Sequence, residues 1–290
     1  MGRRVTLRER LRAGAPLAGT WVKTPHPHVV EVLALSPLDL LVLDAEHAPF
    51  DRGQLDACIL AARAGGKPVL VRPASSADEQ ILNALDCGAD GVIVPHIRSA
   101  EDARGVARAC QYVSGGRGYA GSSRSAGYTT FGMARHRAQA ANVTVVAQIE
   151  DCEAVEVIDE IARVEGIDAL FIGRADLAIS YGAATPDDPV VVAAVERICV
   201  QAAQPDGRSA CSCRAQPTLP SGAARAHRCS CFGRITSFCW PGRLRWRERL
   251  RPNRSPGRRS PGRRSKGGAP TRSEASSCPP LRATTRRRPS

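Results

Sequence analysis

Short apolar runs recur along the chain, and most end in a charged or amide side chain; this pattern limits the available folds more than any other feature. LVLDAEHAPFD (41–51) delivers Asp44 and His47 in an acid-rich turn, and PVLVRP delivers Arg72. TVVAQIED delivers Gln148 and Glu150, ALFIGRADLA delivers Asp176, and LDCGADGVIVPH sets Asp86 just ahead of a further run. One strand ending in a charge is ordinary. A series of them in a β/α rhythm implies parallel strands whose carboxyl ends share one site, as at the mouth of a barrel.

The intervening text supplies the helices. GTWVKT (19–24) reads as a strand, and in the following HPHVVEVLALS the residues Val29, Val30, Leu33 and Ala34 share one face at helical spacing. DLLVLDAE (39–46) precedes DRGQLDACILAARAGG, where Gly65-Gly66 is a C-cap signal. PVLVRP (68–73) leads into a helix from Ser76 to Asp86 with the serine as N-cap, and GVIVPHI (91–97) into a helix capped by Ser99. TVVAQIE (144–150) and DALFIG (168–173) are strands five and six, and DPVVVAAVERICVQAAQ is the last helix. The expected fold is α/β, a TIM (β/α)8-type barrel left incomplete at about six βα units. The Gly/Ser-rich loop 115–128, with Gly116-Arg117-Gly118 and Arg124, is too polar for a core and reads as an anion-binding or lid element.

Charge divides the chain in two. Residues 1–204 hold 20 Lys and Arg against 25 Asp and Glu, whereas residues 205–290 hold 21 against 3, so a part at −5 is joined to a part at +18. The first is read as a partial barrel domain (1–204). The second is an Arg/Pro/Ser/Cys-rich tail (205–290) with no apolar period, a composition that does not bury enough surface to fold. Its CSC pairs at 211–213 and 229–231 lack the two-residue spacing of zinc knuckles. Back-translated with GC-rich codons and read two bases on, LPSGAARAHRCSCFGRITSFCWPGRLRW permits AEWRGAGASLFLLRSDHEFLLAGAAAL, a helix end, a strand and an amphipathic helix. The tail is therefore read as frameshift-derived. Its charge, with Trp240 and Trp246, would bind polyanions non-specifically; no nucleic-acid recognition motif accompanies it.

No signal-peptide core and no run of 18 apolar residues is present, so the expectation is a cytoplasmic protein without a membrane partner. Cys58, Cys87, Cys110, Cys152 and Cys199 sit in apolar or helical contexts and read as buried free thiols.

Two carboxylates on neighbouring strand ends, Glu150 and Asp176, suit a hard divalent ion with positions left open for substrate and water. Each also has a structural reading, Glu150 as a solvated strand-end acid and Asp176 as a helix cap. His47 could move a proton near neutral pH, or simply pack. Lys23, ending strand one, offers a Schiff-base alternative; Lys67 lies at a strand start, the wrong end.

Together LVLDAEHAPFD, PVLVRP, LDCGADGVIVPHI, GGRGYAGSSR, AQIED and FIGRADLA resemble the HpcH/HpaI aldolases, metal-dependent class II pyruvate aldolases, over residues 17–203. SDHEFLLAGAAAL of the alternate frame is similar to that family's closing segment, and Arg174 stands where its best-known members carry Pro. The resemblance implies reversible aldol cleavage of a 4-hydroxy-2-oxo acid to pyruvate and an aldehyde. It implies Glu150 and Asp176 as ligands of Mg²⁺, Mn²⁺ or Co²⁺, and Gln148 and the Ala175 backbone as pyruvate contacts. His47 would be the base, Asp86 the carboxylate raising its basicity, and Arg72 the oxyanion partner. It also implies a homo-oligomer, an expectation that the tail puts in doubt for this chain.

Overall fold

The structure is a computed structural model that describes residues 5–15 and 17–202 and the backbone of 210–212 and 236–237. All of these lie within one unit, Met1–Trp240. In chain order the first half runs α1 (Leu7–Arg12), β1 (Ala18–Val22), α2 (Pro27–Ala34), β2 (Leu40–Asp44), α3 (Arg52–Ala64), β3 (Val69–Arg72), α4 (Asp78–Asp86), β4 (Gly91–Val94) and α5 (Ala100–Ala109). It continues with α6 (Met133–Ala140), β5 (Thr144–Ile149), α7 (Cys152–Glu156), α8 (Ile158–Ala162), β6 (Ala169–Ile172), α9 (Arg174–Ser180) and α10 (Pro189–Ala202). Strands β1 to β6 pair in sequence order, every neighbour parallel, with registers such as Val42↔Leu70 and Val146↔Ala169.

β2 to β6 are buried along their length, which an amphipathic strand would not be. The reason is that both faces are covered. On one face Leu40, Val42, Leu70, Ile93, Val146, Ala169 and Phe171 form the barrel interior, and Leu7, Leu11 and Leu17 plug it from the strand-start end. On the other, Leu41, Leu43, Val69, Val71, Val92 and Val145 pack against the helices. Neighbours along each strand alternate between the two sets, as the pleat requires.

Thr6 caps α1 through a capping box with Glu9, and Ser99 caps α5 in the same way with Asp102. Ser76 does not cap α4. That helix starts at Asp78 behind Ala77, which makes no side-chain cap, so the expected serine signal is overridden by a turn in which Ser75 Oγ accepts from the Ala77 N–H. The helix ends at Asp86, where the sequence reading ended it.

Six βα units were expected, and the tail was expected to add no strand. Two short segments nevertheless extend the sheet, β7 (Ala210–Ser212) parallel to β6 and β8 (Thr236–Ser237) parallel to β1, giving the order β7-β6-β5-β4-β3-β2-β1-β8. Among the described residues no ladder joins β7 to β8. Apart from the backbone of Thr236–Ser237, the alternate-frame segment lies outside the described residues, as do the side chains of both CSC pairs and Trp240 and Trp246.

Candidate active site

The strand ends converge on a pocket of charge. Asp44, the last residue of β2, is fully buried and accepts from Arg72 Nε at 2.9 Å and from the His47 N–H at 3.1 Å, with Lys23 Nζ 3.2 Å from its other oxygen. Burial alone would raise its pKa, but the Arg72 and His47 hydrogen bonds, the Arg72 charge and Lys23 outweigh it and hold the carboxyl below its ordinary range. Asp44 thus fixes both the His47 turn and Arg72. Glu46 supplies a second carboxylate to Arg72, 3.1 Å from Nε, and Trp21 lies under the guanidinium at 4.5 Å.

Glu150 follows β5 and is 2% exposed. One oxygen accepts from the His96 N–H at 2.9 Å, and the other accepts from Gln148 Nε2. Its pKa is raised. Burial is the main cause; the Gln148 and His96 interactions oppose it, and the nearby negative charge of Asp176 adds to it. Asp176 stands in the first turn of α9, inside the helix rather than at its cap. Gly173 makes room for this arrangement, because a Cβ there would sit 2.7 Å from Glu150 Oε2 and 2.8 Å from Glu150 Cβ. Gln148 Oε1 is buried without a hydrogen-bond partner. A buried carboxylate, a second one that repels it, and an unpartnered amide oxygen form a hard-oxygen donor set, and such a set fits a divalent cation.

His96 also faces this mouth, and the sequence reading passed it over. It delivers an imidazole from the end of β4, with Nδ1 3.0 Å from Asp151 Oδ2 and 3.5 Å from Glu150 Oε1, and Nε2 3.7 Å from Glu46 Oε1. Burial would lower its pKa, but the Asp151 hydrogen bond and the charges of Glu150, Asp151 and Glu46 raise it. The signal was there to find: GVIVPH ends in a histidine, as the other runs end in charged or amide groups. Glu46 and Asp151, which lay inside quoted motifs, were likewise given no role.

The structure brings Arg72, Gln148, Glu150 and Asp176 to one mouth, with the His47 turn beside them. His47 is half exposed, with Nε2 3.8 Å from Glu46 Oε2. It does not bring Asp86 to His47 within the chain. Asp86 lies where helices end and strands begin, and it pairs with Arg117 Nη2 at 2.5 Å. Arg117 lines a cavity of about 340 Å³ with Leu7, Asp90, Val143 and His136, residues of that same end. Within one chain the expected His47–Asp86 pair is therefore not formed: a helix after a strand runs back to the strand-start side, and its last residue is carried away from that chain's mouth.

The lid reading of the Gly-rich loop is corrected too. Arg117 is buried on Asp86 and Ser125, and Arg124 is bound by Asp56 at 2.5 Å, so both guanidiniums hold the loop down. Lys67 donates to the Ser36 and Leu38 carbonyls, a structural clamp. Arg174 reaches the Pro186 carbonyl and Asp187, pinning the loop before α10. Four of the five cysteines of the first part are buried and Cys152 is partly so; burial pushes Cys58 up to about 11 and Cys110 up to about 12, as inert thiols.

A curled parallel α/β sheet whose acids and a buried arginine gather at the carboxyl ends of its strands has the site placement of the barrel enzymes. Residues 17–217 match the family described as HpcH/HpaI aldolase/citrate lyase, and the chain belongs to it. It is 38% identical over 186 residues to the hydroxypyruvate/pyruvate aldolase of Paraburkholderia phytofirmans PsJN, covering 61% of this chain and 70% of that one. It is 34% identical over 197 residues to the 4-hydroxy-2-oxo-heptane-1,7-dioate aldolase of Salmonella dublin, covering 67% and 74%. A crystal structure of an HpcH/HpaI aldolase/citrate lyase family protein from Burkholderia cenocepacia J2315 superposes with a TM-score of 0.71 at 31% identity, over 81% of this chain and 92% of that one. The aldolases of the family depend on a divalent metal. Among the described residues no helix is long and apolar enough to cross a membrane.

Proposed function

We propose that this chain is a carbon–carbon lyase that cleaves a 4-hydroxy-2-oxo acid reversibly into pyruvate and an aldehyde, with Glu150 and Asp176 holding a divalent ion, Mg²⁺, Mn²⁺ or Co²⁺. The observation that carries the reading is Glu150, a buried carboxylate at a strand end with Asp176 beside it and Arg72 at the same mouth. When bound, the ion supplies Lewis-acid polarisation of the 2-oxo acid.

The chain's own groups account for the rest. A base takes the proton of the 4-hydroxyl, the C3–C4 bond breaks with its electron pair moving towards the 2-oxo oxygen, and the aldehyde leaves. The enolate then gains a proton at C3 and becomes the methyl group of pyruvate. His47 is assigned the proton, with Glu46 rather than Asp86 as the carboxylate beside it. Arg72, already oriented by Asp44 and Glu46, presents its guanidinium to the developing enolate oxygen. Gln148 and the Ala175 backbone are assigned to pyruvate. Lys23 is engaged by Asp44 and exposed, an arrangement that argues against a Schiff base.

The test is turnover of 4-hydroxy-2-oxo acids before and after chelation. Activity should vanish with EDTA and return with Mn²⁺, and borohydride with pyruvate should trap no adduct; full activity in excess EDTA would overturn the reading. His47→Ala should lower turnover by about 10²–10⁴-fold and leave Mn²⁺ affinity unchanged.

We also propose that the text from 205 onward is a shifted frame, so that residues 1–204 are the barrel proper. Its support is the abrupt change in charge and the fold-like alternate reading.

A further inference from the structure

We propose that His96 is a direct protein ligand, through Nε2, of the ion held by Glu150, and that it gives this site a nitrogen donor beyond the two carboxylates. The proposal rests on the metal-binding reading of Glu150 given above. Three observations carry it.

The first is orientation. Nδ1 lies 3.0 Å from Asp151 Oδ2. An ionised carboxylate only accepts, so Nδ1 is the donor of this pair, and Nε2 is the nitrogen left to face a cation. A carboxylate that fixes the far nitrogen of an imidazole in this way is the usual support of a metal-binding histidine.

The second is spacing. Nε2 is 3.7 Å from Glu46 Oε1, too far for a hydrogen bond. Cis ligands on one octahedral ion, with bonds of about 2.0–2.2 Å, stand roughly 3 Å apart, so the imidazole and the carboxylates need only a small approach to share one. One ligand atom from each of Glu46, His96 and Glu150 falls within 4.8 Å of the others.

The third is backbone. His96 adopts φ +55°, in the left-handed region that few side chains occupy, and it is held there by its own N–H bond to Glu150 Oε1. The turn that aims the imidazole and the carboxylate that holds the ion are thus one hydrogen-bonded unit. Strained conformations of this sort persist where the surroundings over-determine them, and functional sites are where they cluster.

The consequence is metal preference. A site of two carboxylates treats Mg²⁺ and Mn²⁺ as hard oxygen-seeking ions, and an added imidazole shifts it towards Mn²⁺, Co²⁺ and their neighbours. The test uses Mn²⁺ as the probe on the full chain. Free Mn²⁺ is counted by its electron paramagnetic resonance signal, and directly bound nitrogen is read from the ¹⁴N modulation of the electron spin echo. The parent should show ¹⁴N coupling. His96→Asn, which tolerates the left-handed turn, and His96→Gly, which relieves it, should both lose the coupling and weaken Mn²⁺ on the order of tenfold while changing Mg²⁺ affinity less than threefold. Added imidazole should restore the coupling in His96→Gly. Mn²⁺ binding that depends on Glu150 but shows no ¹⁴N coupling, or coupling that survives both substitutions, overturns the proposal and leaves the Glu150 site standing. Mn²⁺ affinity unchanged in Glu150→Gln overturns the site reading itself, and the proposal with it.

Discussion

Glu150 and Asp44 are both buried acids on neighbouring parts of one mouth, and they respond to pH in opposite directions. The pKa of Glu150 in the folded chain lies above its unfolded value, so its contribution to stability is full below the unfolded pKa and is lost as pH rises through the folded one. With metal removed, Glu150→Gln should therefore melt at a higher temperature than the parent at pH 8 and at the same temperature near pH 4. Adding Mn²⁺ should raise the melting temperature of the parent and leave the variant unmoved. A metal-free variant less stable than the parent at pH 8 would contradict this. Asp44, held low, contributes stability that is present above the unfolded pKa and lost as pH falls through the folded one. Asp44→Asn removes a buried partner of Arg72 and should cost about 3 kcal/mol at pH 7 in urea unfolding, with the deficit shrinking in acid. Gly173→Ala tests space instead of charge. The methyl must displace Glu150, so Mn²⁺ affinity should fall by about 10–100-fold while far-UV circular dichroism keeps its shape; unchanged affinity would show that the carboxylate moves freely.

At the scale of elements, strand identity was open to sequence reading because each run carried both its apolar core and its terminal polar group. β1 to β6 fall where the apolar runs do, within three residues at either end. Arg72, Gln148, Glu150 and Asp176 were legible for the same reason, since position at a strand's end fixes which mouth a side chain reaches. Asp86 was expected beside His47, which it does not meet within one chain, and His96 was overlooked, because the run containing both was read at its beginning and only its end faces the mouth. A second device escaped the reading entirely. Asp39, Asp90 and Asp168 each stand just before an even-numbered strand and accept the N–H of a residue on the preceding strand, Ala18, Val69 and Val145. Asp39 and Asp168 also receive Arg10, and Arg8 with Arg12, from α1, so the helix that plugs the barrel is tied down by the acids that set strand register. Alternation by two strands is invisible to a pass that weighs one strand at a time. Asp168→Ala should release α1 and cost about 2 kcal/mol, in the range of hydrogen bonds to charged groups. Urea unfolding checks the cost, and tryptophan fluorescence of Trp21, which packs against the interior cluster, checks the release. A loss below about 0.5 kcal/mol would mean that Leu7, Leu11 and the Arg10–Asp39 pair hold α1 without Asp168.

For the whole molecule, the question is how the barrel's ends are met. β7 and β8 have three and two residues, against four to six for β1 to β6, and they stand at opposite ends of the strand order. A barrel gains its freedom from edges only by closing. If residues from 205 onward are a shifted frame, then replacing them with the alternate-frame segment supplies a full strand, a following helix and the segment similar to the family's closing one. Two results should follow from measuring the replaced chain beside the chain as it stands. The melting temperature should rise by at least about 5 °C, since each kcal/mol shifts a domain of this size by roughly 2–4 °C and a strand with its helix contributes several. Metal-dependent turnover of 4-hydroxy-2-oxo acids should also increase by at least an order of magnitude, although every residue assigned to the chemistry lies before position 177 and is the same in both. The residues that do the chemistry hold their geometry only as well as the strands beneath them are paired, so turnover reports closure through a site the replacement never touches. Equal melting temperatures and equal turnover in the two chains would show that residues 205–290, as they stand, complete the fold, and the shifted-frame reading would fall with that result.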